Sequence, residues 1–388
     1  METNKASIDI ENMTILAVDD MKSMRLTMRK MLRHLNIGKT LKFAENGREG
    51  MSILESTPAD LVILDWRMPF MNGAQMLENI RKDKALRNIP VIMVSAESEK
   101  DIVLEVAETE IDGYLLKPLT LNALDTKIRM VVDRVNHPDP ATVLMSEARS
   151  FEEAGDLESA IEKTKLALNF KPSASRWLRR LGLLYAKTGK PEIAEKCLQK
   201  AAAVNPHDAH TRQILGEMYV KKNDLKKAAR YYLEVLSLTL RFSEEAILLG
   251  EQLLAAGHTH PAIQLFSKVI SESKKNSALK ERIADICLAF DEFEYAKELL
   301  ESIIHEYPLK YDLIFKTAGI YLAVENFEKA LELFLSLERA LPGRMEVKLE
   351  IAKIYYHFDK IYQVDTYLNQ ILQKDPENKE ALALRKAI

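Results

Sequence analysis

The first third of the chain alternates short apolar segments with amphipathic stretches, in which apolar residues recur every three or four positions. Continuous apolar runs are typical of strands that are buried on both faces of a parallel sheet. The pattern predicts five strands, at Thr14–Val18, Leu41–Ala44, Leu61–Leu64, Pro90–Val94 and Gly113–Leu116. Strands that alternate with helices and cross over in the right-handed sense predict an α/β doubly wound five-stranded parallel sheet.

The end of this region is marked by a helix and then by two prolines. The last amphipathic helix is predicted from about Leu121 to Val135, and His-Pro-Asp-Pro follows at residues 137–140. Proline stops a helix because it lacks the backbone N–H and restricts the residue before it. We therefore expect a first domain at residues 1–136 and a linker at residues 137–140.

From residue 141 the strand pattern gives way to helical segments with a period of 34 residues. Seven units start, without insertions, at residues 141, 175, 209, 243, 277, 311 and 345. Position 8 of the unit is Ala or Gly in all seven, and position 20 is Ala in all but the last, which has Val364. Small residues at these positions let two helices pack closely. Proline at position 32 of five units ends the second helix.

This periodic pattern resembles the tetratricopeptide repeat family. The second unit matches it best, with Leu181, Gly182, Tyr185, Ala194 and Pro206 at the family's positions. The resemblance implies an all-α tetratricopeptide-repeat solenoid over residues 141–378, with residues 379–388 as a C-terminal capping helix. It also implies that the concave face binds a protein or peptide ligand.

Charge and composition narrow the class of protein. The chain has 55 Lys and Arg against 58 Asp and Glu, and this near-neutral balance argues against a nucleic-acid partner. The N-terminus lacks the apolar segment of a signal peptide, and no apolar run is long enough to span a membrane, so we expect no membrane partner. Two cysteines suit a reducing compartment, and we expect a cytoplasmic protein.

Polar residues follow the predicted strands where their carboxyl ends meet. Asp19 and Asp20 follow the first strand, Asp65 the third, Ser95 the fourth and Lys117 the fifth. Ligands of open parallel sheets bind at this edge. Three converging carboxylates call for a hard cation such as Mg²⁺, and a lysine with a hydroxyl suits a phosphoryl group.

The segments ILAVDDMKSMR, VILDWRMPFMNG, VIMVSAESEK and GYLLKPLT, within residues 13–135, resemble the receiver domain of bacterial response regulators, especially the single-domain chemotaxis regulator. The resemblance implies that Asp65 accepts a phosphoryl group from a histidine kinase or its phosphotransfer domain. It also implies a Mg²⁺ site formed by Asp19, Asp20, Asp65 and the backbone carbonyl of Arg67.

The same resemblance assigns the residues that would respond to phosphorylation. It implies that Ser95 and Lys117 are catalytic residues, and that they also serve as the switch hydroxyl and the switch lysine. It implies that Tyr114 is the switch aromatic. Arg67 departs from the chemotaxis regulator, which has a shorter amide there. We hypothesise that Arg67 and Glu97 form an ion pair over the acyl phosphate and slow its hydrolysis; the alternative is two solvated surface charges.

Five basic residues fall on or near the predicted concave face of the first two repeats. These candidate partner-binding residues are Arg149, Arg176, Arg179, Arg180 and Lys187. They would hold an acidic partner segment or the receiver itself; the alternative is a solvated basic face. Farther along, the apolar side chains on or beside the groove favour a protein ligand and are Leu248, Leu254, Leu288, Phe315, Leu322 and Tyr356.

Together these features predict a two-component response regulator that acts as a phosphorylation-controlled protein-binding adaptor. We expect no enzymatic activity beyond self-phosphorylation and autodephosphorylation. The alternative is a constitutive scaffold whose receiver serves only for docking or for dimerisation, and a homodimer through the receiver is open in either case. A phosphohydrolase would need an acid/base Asp where Arg67 stands.

Overall fold

The computed structural model describes residues 7–96, 111–273 and 276–388. The chain divides into two compact units, Met1–Thr211 and Arg212–Ile388. This division does not fall at the predicted linker, because the first unit contains the sheet domain together with the helices that follow it up to Thr211.

The first unit contains the predicted parallel sheet. Its strands are β1 (Thr14–Val18), β2 (Thr40–Ala44), β3 (Leu61–Asp65), β4 (Val91–Ser95) and β5 (Gly113–Leu116). They pair in parallel in the order β2-β1-β3-β4-β5, so the order reverses beside β1. The predicted fold class is confirmed, with strand bounds within one residue of those expected.

Helices cover both faces of this sheet. They are α1 (Lys22–His34), α2 (Gly47–Ser56), α3 (Gly73–Lys82) and α4 (Leu121–Asn136). Because side chains alternate along a strand, Ile15 and Ala17 of β1 belong to the apolar cluster with α1 and α4. Leu16 and Val18 belong to the cluster with α2 and α3. The domain is therefore built in three layers.

The predicted linker is a short, well-fixed joint. Helix α4 ends at Asn136 and the next helix begins at Pro140, so Pro140 lies in the helix and not in the linker. Asp139 caps that helix by accepting a 2.9 Å hydrogen bond from the Thr142 backbone N–H. Lys171 lies 2.7 Å from the other carboxylate oxygen of Asp139. Asp139 is thus bonded to the start of α5 and to the residue that follows α6.

Seven helix pairs and a final helix follow in the described part of the chain, in the positions predicted for the repeats. Their bounds are α5 (Pro140–Glu153), α6 (Leu157–Phe170), α7 (Ser175–Lys187), α8 (Pro191–Val204), α9 (Ala209–Lys221), α10 (Leu225–Leu236), α11 (Ser243–Ala255), α12 (Thr259–Glu272), α13 (Ser277–Ala289), α14 (Phe293–Glu306), α15 (Tyr311–Ala323), α16 (Phe327–Ala340), α17 (Met345–His357), α18 (Ile361–Lys374) and α19 (Lys379–Ala387). Within the described residues, none of these helices is both long and apolar enough to cross a membrane.

The small residues of the repeat lie where two helices of a pair approach closely. A Cβ added to Gly182 would lie 2.8 Å from the side chain of Leu198, and one added to Gly250 would lie 2.3 Å from the ring of Phe266. The alanines at positions 8 and 20 are fully buried. A larger side chain at these positions would force the paired helices apart.

Position 15 of the repeat has left-handed backbone geometry in every unit, a feature that the sequence pattern did not reveal. The residues with positive φ there are Gly155, Gly189, Asn223, Gly257, Asp291, Glu325 and Asp359. Each lies just after the first helix of its pair, where a left-handed residue closes the helix end. The residue at this position is Gly, Asn, Asp or Glu, so the residue type alone does not predict the shared conformation.

Candidate functional site

The polar residues predicted at the strand ends meet in one crevice of the sheet domain. Asp65 is the last residue of β3, and Asp19 and Asp20 directly follow β1, which pairs with β3. One carboxylate oxygen from each of the three residues lies within 4.8 Å of the others. The strand order therefore brings together carboxylates that lie far apart in the sequence.

Two of the three carboxylates are buried, and a lysine bridges them. Asp19 is 1% exposed and Asp65 6% exposed, whereas Asp20 is exposed. The Lys117 ammonium lies 2.8 Å from Asp19 Oδ2 and 2.8 Å from Asp65 Oδ1. Buried charges are stable only when they are paired, so Lys117 neutralises part of the negative charge of the crevice.

The electrostatics of the crevice shift two pKa values. Burial raises the pKa of the Asp65 carboxyl and the charges of Asp19 and Asp20 raise it further, while the hydrogen bond from Lys117 opposes the shift. Burial alone would lower the pKa of Lys117, but its hydrogen bonds to Asp19 and Asp65 outweigh burial and raise it. A cation that binds among the three carboxylates would favour their ionised forms.

The loop after Asp65 is held against the acceptor strand through a glycine. The Trp66 N–H bonds to the Val94 carbonyl at 2.9 Å, and the Gly73 N–H bonds to the Trp66 carbonyl at 3.0 Å. A Cβ on Gly73 would lie 2.2 Å from the backbone oxygen of Asp65. Only glycine allows this approach, which fixes the backbone that carries the Asp65 side chain.

Arg25 holds the other acidic segment and was missed by the sequence analysis. One of its terminal nitrogens, Nη1, donates to the backbone carbonyls of Asp19 at 2.7 Å and Asp20 at 3.0 Å. The other pairs with Glu45, which follows β2. Arg25 belongs to the segment ILAVDDMKSMR, but its contacts depend on how α1 turns after β1.

Ser95 lies on β4, which pairs with the acceptor strand β3, and Tyr114 lies on β5, the next strand along the sheet. Ser95 ends β4, is 3% exposed, and accepts a 2.7 Å hydrogen bond at its backbone carbonyl from the Lys117 N–H. Tyr114 of β5 is partly buried against the cluster that includes Leu64 and Trp66. A cis peptide bond joins Lys117 to Pro118. The roles of Ser95 and Tyr114 in the response to phosphorylation stay predictions.

The hypothesis about Arg67 stays a prediction. The Arg67 side chain is exposed beside the acceptor, but Glu97 lies outside the described residues. The role of the Arg67 carbonyl as a metal ligand likewise stays a prediction. The three carboxylates themselves suit Mg²⁺, because all their donor atoms are hard oxygens and one residue, Asp20, remains open to water.

Three of the five basic residues proposed for partner binding form ion pairs within the first unit. Arg179 Nη1 lies 2.7 Å from both carboxylate oxygens of Asp208, which is fully buried. Arg180 and Lys187 share Glu152, at 2.7 and 2.6 Å. The contacts of Arg180 and Lys187 thus join the first two repeats, and the contact of Arg179 joins α7 to the residue that precedes α9.

The remaining two residues of that group, Arg149 and Arg176, also have interaction partners. Partner binding by the five residues stays a prediction. Of the apolar groove positions, Leu248 is 52% exposed and Tyr356 is 40% exposed, whereas Leu254 is buried in the core. Single exposed apolar residues of this kind are available for contact with a protein.

A cavity of about 520 Å³ in the second unit lies between the first helices of the fourth and fifth pairs. Its lining residues are Glu251, Ala278, Glu281, Arg282, Asp285, Ile286 and Ala289. Arg282 pairs with Glu244 at 2.8 Å, and Lys316 pairs with Asp285. The charges around this cavity are therefore largely matched within the chain.

Comparisons with known proteins match both regions. A family model described as the response regulator receiver domain matches residues 15–129, and a tetratricopeptide repeat model matches residues 179–239. Chemotaxis protein CheY of Pseudomonas aeruginosa is 38% identical over 124 residues, which make up 32% of this chain and 99% of that protein. Chemotaxis protein CheY-3 of Vibrio cholerae is 36% identical over 125 residues, which make up 32% of this chain and 95% of that protein.

Among solved structures, the receiver domain of the Francisella response regulator 1452 is similar at 26% identity and a TM-score of 0.29, covering 32% of this chain and 98% of that one. A receiver domain implies a two-component response regulator that phosphorylation controls, and tetratricopeptide repeats imply interaction with proteins. This chain belongs to the response-regulator receiver family, with a receiver domain that is followed by tetratricopeptide repeats.

Proposed function

We propose that the protein is a phosphorylation-controlled protein-binding adaptor. Asp65 accepts a phosphoryl group from the phosphohistidine of a histidine kinase or of its phosphotransfer domain, and the repeats bind a protein partner. The observation that carries this proposal is the crevice in which Asp19, Asp20 and Asp65 lie within 4.8 Å of one another, with Lys117 bonded to two of them.

Phosphoryl transfer requires a nucleophile and compensation of charge. A carboxylate oxygen of Asp65 attacks phosphorus, the P–N bond of phosphohistidine breaks, and the imidazole leaves with the electron pair of that bond. Mg²⁺ held by Asp19, Asp20, Asp65 and the Arg67 carbonyl would offset the negative charge of the phosphoryl oxygens. Lys117, 2.8 Å from Asp65 Oδ1, is close enough to pair with one of those oxygens after transfer.

The response to phosphorylation would start on β4 and β5. The buried Ser95 hydroxyl would bond to a phosphoryl oxygen, and Tyr114 would rotate into the space that this movement opens. Lys117 would exchange its contact with the Asp65 carboxylate for one with the phosphoryl group. These changes alter β4 and β5, which lie on one side of the acceptor strand β3.

Electrophoresis in a gel that retards phosphoproteins tests the proposal. The full chain is incubated with acetyl phosphate and Mg²⁺, and we expect a retarded band that disappears with EDTA. Asp65→Asn should abolish the band because the amide is not nucleophilic. Asp133→Asn, at an exposed acid of α4, is the matched control and should leave the band unchanged.

The alternative, a constitutive scaffold, predicts no retarded band in the wild-type protein. A band that survives Asp65→Asn would instead assign phosphorylation to another residue. Capture of partners with the phosphorylated and unphosphorylated full chain then tests the adaptor role. A partner set that is identical in both states would contradict control by phosphorylation.

Two further parts of the proposal concern location and assembly. Cys197 and Cys287 are both free thiols, which suits the reducing cytoplasm. A homodimer through the receiver is compatible with the same chemistry. Size-exclusion chromatography before and after phosphorylation would reveal it as a change in apparent mass.

A further inference from the structure

A two-point ion pair joins the sheet domain to the first repeat within the first unit. Arg87 lies in the segment between α3 and β4, and Glu153 is the last residue of α5. Arg87 Nη2 donates to Glu153 Oε2 at 2.7 Å, and Nη1 contacts Oε1. The two side chains are 18% and 31% exposed, so the pair is partly shielded from water. Bidentate pairs of this kind fix orientation as well as distance.

The segment that carries Arg87 is bound to the starts of two strands. Arg81 of α3 donates from Nη1 to the carbonyls of Arg87 and Ile89, both at 2.9 Å. Its Nη2 donates to Asp112 Oδ2 at 2.9 Å. That oxygen also accepts from the Val91 N–H at 2.8 Å. Arg81 and Asp112 therefore connect the segment to the first residue of β4 and to the residue before β5.

These two strands lead to the phosphoacceptor crevice. β4 ends at Ser95, and β5 carries Tyr114 and leads into Lys117. Parallel hydrogen bonds hold the strands in fixed register from Ile92 opposite Gly113 to Ser95 opposite Leu116. The two strands therefore connect the crevice at their carboxyl ends to the Arg87 segment at their amino ends.

On the repeat side, the residue before Glu153 makes the next contact. Glu152 accepts hydrogen bonds from Arg180 at 2.7 Å and Lys187 at 2.6 Å, and both donors belong to α7 of the second repeat. Two consecutive glutamates at the end of α5 thus contact the receiver and the second repeat. The two contacts are therefore made by adjacent residues of one helix end.

We infer that the Arg87–Glu153 pair transmits the state of the receiver to the first two repeats, through Glu152 to Arg180 and Lys187. This inference rests on the proposed control by phosphorylation. This contact differs from the predicted docking of an acidic receiver on a basic groove. Here the receiver supplies the positive charge, Arg87, and the first repeat supplies the negative charge, Glu153. Arg180 and Lys187 are the groove residues whose surroundings would change.

Hydrogen–deuterium exchange of the full chain measures this coupling. We expect acetyl phosphate with Mg²⁺ to change amide exchange in α5 and α7 by about threefold, which is the scale of a partly exposed ion pair. Arg87→Ala should remove that response in α7. The double charge swap Arg87→Glu with Glu153→Arg should restore it. Lys190→Ala, which breaks the exposed pair with Glu158, is the matched control and should leave the response intact.

A response in α7 that is unchanged by Arg87→Ala would overturn the inference. The gel assay run on the same samples reports whether Asp65 is phosphorylated, so a failure of the proposed function is recognised separately. Without any phosphoryl donor, Glu152→Gln is expected to speed exchange in residues 83–90, because linkage acts in both directions. Unchanged exchange there would also overturn the coupling, whatever the chemistry of Asp65.

Discussion

Buried carboxylates occur in both the receiver and the repeats, but they are compensated differently. In the receiver, Asp19 and Asp65 share the single ammonium of Lys117, and the exposed Asp20 adds a third negative charge. In the repeats, the buried Asp208 is matched by Arg179 and also caps its helix through the Thr211 N–H. The crevice of the receiver keeps an excess of negative charge, whereas the buried carboxylate of Asp208 is balanced by a cation of the same chain.

The difference separates a binding site from a structural contact. An excess of carboxylate charge in a crevice is costly unless a cation binds, so it marks a ligand site. A balanced pair such as Arg179–Asp208 holds neighbouring helices together and leaves little charge for a ligand. A basic cluster in helical repeats is therefore weak evidence for partner binding until its internal partners are known.

The largest expected effect comes from breaking the buried pair of the repeats. Asp208→Ala should lower the free energy of unfolding of the first unit by about 3 kcal/mol, because it leaves the Arg179 charge, which is only 13% exposed, without the Asp208 carboxylate. Urea denaturation followed by circular dichroism measures the loss. The control Lys190→Ala, at an exposed pair, should cost below about 0.5 kcal/mol. If the two substitutions lowered the free energy of unfolding equally, the prediction that the buried pair matters more than the exposed pair would be wrong.

The same substitution should have opposite effects at two glycines, one in each region. Gly73→Ala should cost about 2 kcal/mol, because its Cβ would lie 2.2 Å from the Asp65 carbonyl oxygen. Gly319→Ala should stabilise by about 0.5 kcal/mol, since Gly319 lies inside α15 with no heavy atom within 4 Å of an added Cβ. Urea midpoints of the full chain measure both. A stabilising Gly73→Ala would contradict the tight contact beneath the acceptor.

Removing Arg25 should weaken Mg²⁺ binding about tenfold, the scale seen when residues that position metal ligands are removed. The reason is that its guanidinium holds the carbonyls of Asp19 and Asp20. Fluorescence of Trp66, next to Asp65 and 8% exposed, reports binding during a Mg²⁺ titration. The matched control is Arg29→Ala in the same helix, whose guanidinium stacks on Phe43. A similar loss in both variants would point to net charge and not to positioning.

The smallest effect concerns the left-handed position of the repeats. Glu325→Gly should stabilise the second unit by about 1 kcal/mol, because a side chain with Cβ is strained at a φ of 59°. Asn223→Gly, at a φ of 58°, should gain less, since asparagine tolerates this conformation. Thermal unfolding of the two variants compares them. A loss of stability in Glu325→Gly would show that its side-chain contacts outweigh the strain.

The periodic parts of this protein could be predicted from its sequence alone. Apolar runs fixed the five strands to within a residue, and small residues every 34 positions fixed the helix pairs, because these features depend on local patterning and on steric limits at each contact. The spacing of Asp19, Asp20, Asp65 and Lys117 was sufficient to predict one crevice, because the carboxyl ends of parallel strands lie along one edge.

Which charged side chains contact each other depends on how the elements pack in three dimensions. Arg179 could have faced solvent or several acids, and its contact with Asp208, 29 residues away, depends on how α7 is turned against the next repeat. The same holds for Arg87 and Glu153, which lie 66 residues apart. Each such pair joins two single positions that lie far apart in the chain, so it leaves no periodic trace in the sequence. Hydrophobic packing sets the positions of the helices, and those positions determine which charged side chains lie within reach of each other.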